Sequence, residues 1–264
     1  MVNGSLVTVA GLAKAGAMKT TGNTIFLTGG TSGIGLELAR RFRDLGNTVI
    51  ISGRRKDLLD RIAAEDGIAG ITLDVADPDS ITAAFETVTT EHPDLNVVVT
   101  MAGIMVEEDL RDPAHLTTSE QIIDINLLGT IRTLTAFTPY LLTKPDAVIM
   151  TVSSGLAFVP LVDTPTYSAT KAAVHSYTQS LRIQLADTGV QVIELVPPAV
   201  QTGLLNGVPN PEWMPLDEFV DESVKLIQDQ PDAEEILVNR VRFLRDAERE
   251  NRYDTTVAAL NHSR

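Results

Sequence analysis

The stretch Thr24-Ile-Phe-Leu-Thr-Gly-Gly-Thr-Ser-Gly-Ile-Gly35 decides the fold. Thr24 to Leu27 is a short apolar run of strand-forming residues, and Ile34 to Leu45 then groups its charges on one side, as a surface helix does. A glycine turn between a strand and a helix is a nest for phosphates, because its N–H groups point outward and the helix dipole favours negative charge. Gly29 permits the tight exit from the strand, while Gly33 and Gly35 let backbone approach a pyrophosphate and helix pack on sheet. The spacing is Gly-x-x-x-Gly-x-Gly, not the Gly-x-Gly-x-x-Gly of most dinucleotide folds, so the turn alone is a weak signal and needs its context.

That context runs along the chain. Strand-like runs at Thr48–Ser52, Ile71–Leu73, Val97–Thr100, Ala147–Val152, Val190–Val196 and Ile236–Val238 alternate with helical segments. The helices are expected near Lys56–Ala64, Pro78–Glu91 and Thr118–Leu142, with another through Tyr167 to about Ala186. Regular strand–helix alternation without a break in composition predicts an α/β fold: a single Rossmann-type, doubly wound parallel sheet with helices on both faces. Residues 1–20 read as a poorly ordered extension, with Met18 a plausible alternative start, and residues 21–264 as one catalytic domain. Ala15-Gly-Ala17 imitates a signal-peptidase site, but the basic n-region is missing. The proline-rich segment Gly203–Pro215 reads as an active-site lid, and the charged tail Arg240–Arg264 as a solvated helix with a frayed end.

Composition narrows the function. A formal charge of −14 over 264 residues offers no basic excess for a nucleic-acid partner. No cysteine means no disulfide framework and no thiolate chemistry, and His92, His115, His175 and His262 show no ligand-like spacing, so no metal is expected. No apolar run reaches the roughly 18 residues a bilayer requires, which points to a cytoplasmic protein without a membrane partner.

The chemistry is concentrated in Tyr167-Ser-Ala-Thr-Lys171. A tyrosine and a lysine four apart on a helix share a face, the spacing at which an ammonium can lower a phenol's pKa for proton transfer. Ser154 stands thirteen positions upstream. Ser153 is its neighbour, and strand alternation turns the two to opposite sides.

Thr28-Gly-x-x-x-Gly-Ile-Gly35, Asn126-Leu-Leu-Gly129, Ser154 and Tyr167-x-x-x-Lys171 together resemble the short-chain dehydrogenase/reductase family, in order and spacing from about Thr24 to Leu205. Val196-Pro-Pro-Ala-Val-Gln-Thr202 further resembles the subgroup labelled DltE-like oxidoreductases. The resemblance implies that Tyr167 is the acid/base and that Lys171 lowers its pKa and binds the nicotinamide ribose. It implies that Ser154 polarises the carbonyl oxygen and that Asn126 kinks its helix and holds a relay water. Cofactor contacts would fall on Gly29, Thr31, Ser32, Gly33, Ile34, Gly35, Asp74, Val75, Ala102, Gly103, Pro197, Val200 and Thr202, besides Tyr167 and Lys171. The second strand ends Ser52-Gly53-Arg54-Arg55, with glycine where an NAD enzyme carries an acid for the ribose. Arginine forks match a phosphate, so Arg54 and Arg55 point to NADP(H) over NAD(H).

Two departures from the family stand out. Met101 replaces an asparagine after the fourth strand, and Pro198 replaces a glycine after the sixth. Met105, Phe158, Val159, Leu161, Leu204, Leu205, Trp213 and Met214 are expected around the substrate and are apolar. They predict a small, uncharged, fairly hydrophobic ketone, aldehyde or alcohol. An epimerase or dehydratase using the same pair, or a nucleotide-binding sensor on the same fold, are the alternatives. The Asn126 helix is apolar on more than one face through Ile122, Ile123, Ile125, Leu127, Leu128, Ile131, Leu134 and Phe137, which predicts a homodimer or homotetramer.

Overall fold

The computed structural model of the protein describes residues 18–204 and 210–261. Most of the expected N-terminal extension, together with Leu205, Pro209 and His262, lies outside the described residues.

Strand and helix alternate as the apolar pattern requires. In chain order they are β1 (Thr24–Thr28), α1 (Gly33–Asp44), β2 (Thr48–Gly53), α2 (Lys56–Asp66), β3 (Ala69–Thr72), α3 (Pro78–Glu91) and β4 (Leu95–Thr100). The next helix is continuous but changes pitch: α4 (His115–Ile122), a π-helical turn (Ile123–Leu128) and α5 (Gly129–Leu141). Then follow β5 (Val148–Val152), α6 (Pro165–Gln184), β6 (Gln191–Leu195), α7 (Leu216–Asp229), β7 (Glu235–Ile236), α8 (Arg242–Arg245) and α9 (Tyr253–Asn261). Among the described residues the strands form one parallel sheet in the order β3-β2-β1-β4-β5-β6-β7. Every pairing skips a helix, as parallel neighbours must.

Because strand side chains alternate, the sheet feeds two cores. Ile25, Leu27, Val97 and Val99 face one side with Leu38 and Phe42 of α1 and Phe219 and Val220 of α7. Phe26, Val98 and Ile149 face the other with Val88 of α3 and Leu134 and Phe137 of α5. Phe26 and Phe137 stack there with centroids 5.1 Å apart. The strand order reverses between β1 and β4, where Thr28 pairs with Ser52 on one side and Thr100 on the other. Outside the carboxyl ends of strands at such a reversal a crevice opens, because the helices on either side leave in opposite directions.

Three expectations need correcting. Met18 is buried in the core, its N–H donates to the Pro231 carbonyl and Lys19 pairs with Asp146, so packed chain already includes residues 18–20. Residues Leu216–Asp229 form a helix that no element was expected to occupy, with Phe219, Val220, Val224 and Ile227 buried along one face. The charged tail is not simply solvated: Val241, Leu244, Ala247 and Thr256 are buried, and Arg245 forms a two-pronged ion pair with Glu235 at 2.7 and 2.8 Å.

Candidate active site

A cavity of about 1340 Å³ occupies the crevice at the carboxyl ends of the strands. Every residue expected to touch a cofactor lines it, Gly29, Arg54, Arg55, Asp74 and Thr202 among them. It is larger than the roughly 300–1,000 Å³ of an ordinary ligand pocket, which leaves room for two molecules side by side.

The glycine turn makes part of its wall. Gly29 has φ of +72°, and a Cβ there would meet the Ala102 Cα at 2.7 Å. A Cβ on Gly35 would meet the Gly29 carbonyl oxygen at 2.4 Å, so no side chain fits between this turn and α1. Ser32 precedes α1 without capping it, and no acidic side chain stands in its first turn. The helix therefore presents uncapped N–H groups and the positive end of its dipole to the cavity, which suits an anionic pyrophosphate. Farther along the wall, a side chain at Gly53 would meet the Thr31 Cγ2 at 2.6 Å. The buried Ser52 Oγ beside it has no hydrogen-bond partner among the described residues. A polar atom orphaned at a cavity wall and a cradle that only glycines permit both fit a dinucleotide.

The segments after β5 and along α6 bring Ser154, Tyr167 and Lys171 to the cavity. In α6 the buried stripe runs Tyr167, Lys171, Val174, Thr178, so the helix's own period faces Tyr167 and Lys171 to the sheet. Thr178 Oγ1 meets Thr151 Oγ1 of β5 at 2.7 Å and pins the helix there. Ser154 follows β5 in extended conformation and hydrogen-bonds Tyr167, while its Oγ also accepts from the Leu156 N–H at 3.1 Å. Ser153 turns instead towards Glu194 of β6, as strand alternation requires. Lys171 Nζ donates to the Val152 carbonyl at 2.8 Å.

Burial dominates the electrostatics of this group. Burial pushes the Tyr167 phenol up to about 12, against the smaller lowering effect of the Ser154 hydrogen bond. The same burial pulls Lys171 down to about 8, opposed by the charge of Glu194. Lys171 Nζ, bonded to the Val152 carbonyl, lies 5.6 Å from the Tyr167 ring centroid. Both groups are driven towards their neutral forms because each charge would lose its water.

Asn126 is the site residue that does not reach the cavity. It sits in the π turn, where helices with an extra residue per turn displace side chains from regular register. Its Oδ1 accepts from the Ile104 N–H at 2.8 Å and its Nδ2 donates to the Ile104 carbonyl at 2.9 Å. It thereby clamps the segment after β4 from behind the cavity wall. Met101 costs little at its own position, because the Thr28 hydroxyl accepts from the Met101 and Ala102 N–H groups at 3.1 and 3.2 Å. Pro197 keeps a carbonyl bond from the Gly155 N–H at 2.8 Å.

Of the residues expected around a substrate, Met105, Leu161, Leu204 and Trp213 line the cavity. Val159 and Met214 are core residues, and Phe158 lies edge-on to His175 at 4.7 Å. Their spacing from the motifs placed them near the site, but their side chains point into protein. Leu260 and Asn261 of α9 complete the mouth instead. The Asn261 side chain joins the Val162 N–H at 2.8 Å to the Pro160 carbonyl at 3.2 Å, a contact between segments about a hundred residues apart that no local pattern announces.

Comparison with known proteins agrees with this fold. The family described as short chain dehydrogenase matches residues 23–213. An uncharacterized oxidoreductase, DltE, of Bacillus subtilis (strain 168) is 40% identical over 251 residues, 92% of this chain and 98% of that one. A short chain dehydrogenase from Burkholderia cenocepacia J2315, solved in complex with NADP, superposes with a TM-score of 0.79 at 23% identity, over 92% of this chain and 99% of that one. Another from Burkholderia phymatum, solved with NAD, superposes with a TM-score of 0.73 at 18% identity, over 89% and 97%. The two solved neighbours share the fold and differ in cofactor, so the fold alone does not choose between NADP and NAD.

Proposed function

The chain belongs to the short-chain dehydrogenase family of oxidoreductases, and on that premise we propose that it is an NADP(H)-dependent carbonyl reductase. The observation that carries the proposal is that the buried Ser154–Tyr167–Lys171 group and the glycine cradle line one and the same cavity. A nicotinamide dinucleotide held by the glycine turn, Arg54 and Thr202 would supply the hydride for the carbonyl carbon. Tyr167, with its pKa near 12, holds a proton on Oη at neutral pH and gives it to the oxygen as the carbonyl is reduced. Ser154 Oγ, already bonded to Tyr167, orients that oxygen. Lys171 is charged below about pH 8 and offsets the negative charge left on the tyrosine.

The cofactor preference rests on the end of β2. Gly53 has no room for an acid, and Arg54 and Arg55 line the cavity beside it, where a guanidinium fork can take a phosphate on the ribose. The substrate side is lined mainly by Met105, Leu156, Leu161, Val162, Trp213 and Leu260, which suits an uncharged, hydrophobic ketone or aldehyde. We also propose association through the helix that carries Asn126, since Leu116, Ile123 and Leu128 are exposed on it while Ile122, Ile125, Leu134 and Phe137 are buried against the sheet. The reading is tested by incubating the protein with NADPH and a panel of apolar ketones while following absorbance of the reduced cofactor. Tyr167→Phe should lower turnover by about 10²–10⁴-fold with cofactor binding intact. Turnover within a few-fold of wild type in that variant would remove the mechanism.

A further inference from the structure

The site as described leaves the buried carboxylate of Glu194 unused. Glu194 lies mid-strand in β6 with no solvent exposure. Ser153 Oγ donates to it, and His175 Nδ1 lies 2.8 and 2.9 Å from its two oxygens. Ser153 is one peptide bond from Ser154, and His175 is one helical turn beyond Lys171 on α6. The carboxylate thus touches both segments that present the reacting groups.

Its surroundings say what it is not. The donor atoms of His175, Glu194 and Glu235 lie within 4.8 Å of one another, a grouping that could hold a divalent cation. Both Glu235 oxygens, however, are taken by Arg245, whose guanidinium stacks 4.4 Å over Phe158. The cation of this cluster is an arginine already in place. A charge with no water around it is expensive unless its donors compensate, and a glutamine of the same shape would fill the space without that cost.

We propose that Glu194 is a positioning residue for the reaction: it ties the Ser153–Ser154 peptide to the turn of α6 that follows Lys171, and supplies the negative charge that the Lys171 ammonium needs in a dry site. The proposal rests on the reading of Tyr167 and Lys171 as the reacting pair. Supporting it, the charge of Glu194 opposes the burial that draws Lys171 down. The charged and titratable groups that face it are Lys171 and His175 of α6, Glu235 of β7 and Arg245 of α8.

Glu194→Gln separates charge from shape. With 13C-labelled lysine, the Lys171 side-chain resonance of the cofactor-free protein can be titrated in wild type and variant. Removing a nearby opposite charge should move the Lys171 midpoint downward by about one pH unit. The alkaline limb of kcat/KM for ketone reduction should move with it, and kcat should fall roughly tenfold or more through misplacement of Ser154. Ser153→Ala keeps the charge and cuts one tie, so it should lower kcat without moving either midpoint, and it guards against loss of folding in the first variant. A Glu194→Gln protein that loses thermal stability but keeps the wild-type Lys171 midpoint and kcat would overturn the proposal. Wild type inert towards every ketone would defeat the functional reading instead, and the Lys171 titration would still decide the role of Glu194.

Discussion

Replacing Lys171 by methionine should make this protein more stable, although it removes a group from the centre of the site. Lys171 is buried and its pKa falls from 10.5 to about 8. At about 1.4 kcal/mol per pH unit, holding the ammonium in the folded protein at pH 7 costs about 3 kcal/mol. Methionine has similar length, no charge to desolvate and a good fit to irregular apolar space. Against this, the Val152 carbonyl loses the donor it has at 2.8 Å, worth about 1 kcal/mol. The net gain is about 2 kcal/mol, which for a chain of this size raises Tm by about 4–8 °C.

The pH dependence distinguishes this cause from ordinary repacking. Because the folded pKa lies below the unfolded one, the unfolded chain binds more protons between about pH 8 and 10.5, and wild-type stability rises with pH across that window. The penalty is complete below about pH 8 and gone near 10.5. The methionine variant cannot follow, so its advantage should be full at pH 7, shrink through pH 9 and end by about pH 10, where the missing Val152 bond leaves it behind. Differential scanning calorimetry of both cofactor-free proteins at several pH values measures this. A variant no more stable than wild type at pH 7, or an advantage that does not change with pH, would refute the reasoning. Loss of turnover in the stabilised protein would mark the lysine as a residue kept for chemistry at a cost in stability.

Arg54→Ala should reduce the preference for NADPH over NADH by about 1.5–3 kcal/mol, roughly 10- to 150-fold in the ratio of kcat/KM values, and a wild type preferring NADH would contradict the assignment. Asn126→Ala should leave the Ile104 N–H and carbonyl without their side-chain partner and cost about 1–3 kcal/mol in denaturant unfolding. An unchanged midpoint would show that the clamp is dispensable. Light scattering coupled to size exclusion should give a multiple of the 28.5 kDa chain mass at micromolar concentration, and a monomer mass would refute association.

What was legible in the sequence was local. Ile25, Phe26, Val49, Ile50, Val98 and Val99 sit in short β-branched and aromatic runs bounded by turns, and a strand buried on both faces has no other way to be written. Tyr167 and Lys171 are four apart, so one helix suffices to align them. The remainder depends on chain returning from far away. Arg245 reads as one more charge in a polar tail until β7 brings Glu235 to it. Leu260 reads as the end of a frayed helix until Asn261 bonds to Val162. Glu194 reads as the polar member of an alternating strand, whereas in a parallel sheet with helices on both sides no strand face is open to water. That last signal was available: a glutamate between Ile193 and Leu195 in a central strand demands buried donors. Residues Leu216–Asp229 were also readable, since Asp217 and Glu218 follow Pro215 as a helix start and Phe219, Val220, Val224 and Ile227 fall on one face.

The burial that displaces Tyr167 and Lys171 in opposite directions also bears on the direction of the reaction. Oxidising an alcohol needs a tyrosinate to take the hydroxyl proton, and a phenol near 12 supplies almost none at neutral pH. The group that could lower it, Lys171, is engaged with Val152 and 5.6 Å from the ring centroid, so oxidation requires the ammonium to leave a good acceptor first. Reduction requires no such step. The phenol already carries the proton to be given, and the ammonium, present below about pH 8, has a reason to move only once the tyrosine becomes negative. On the proposed mechanism the resting site at neutral pH therefore holds the proton that a carbonyl oxygen would take, and rising pH, which ionises the phenol, prepares it to accept one from an alcohol.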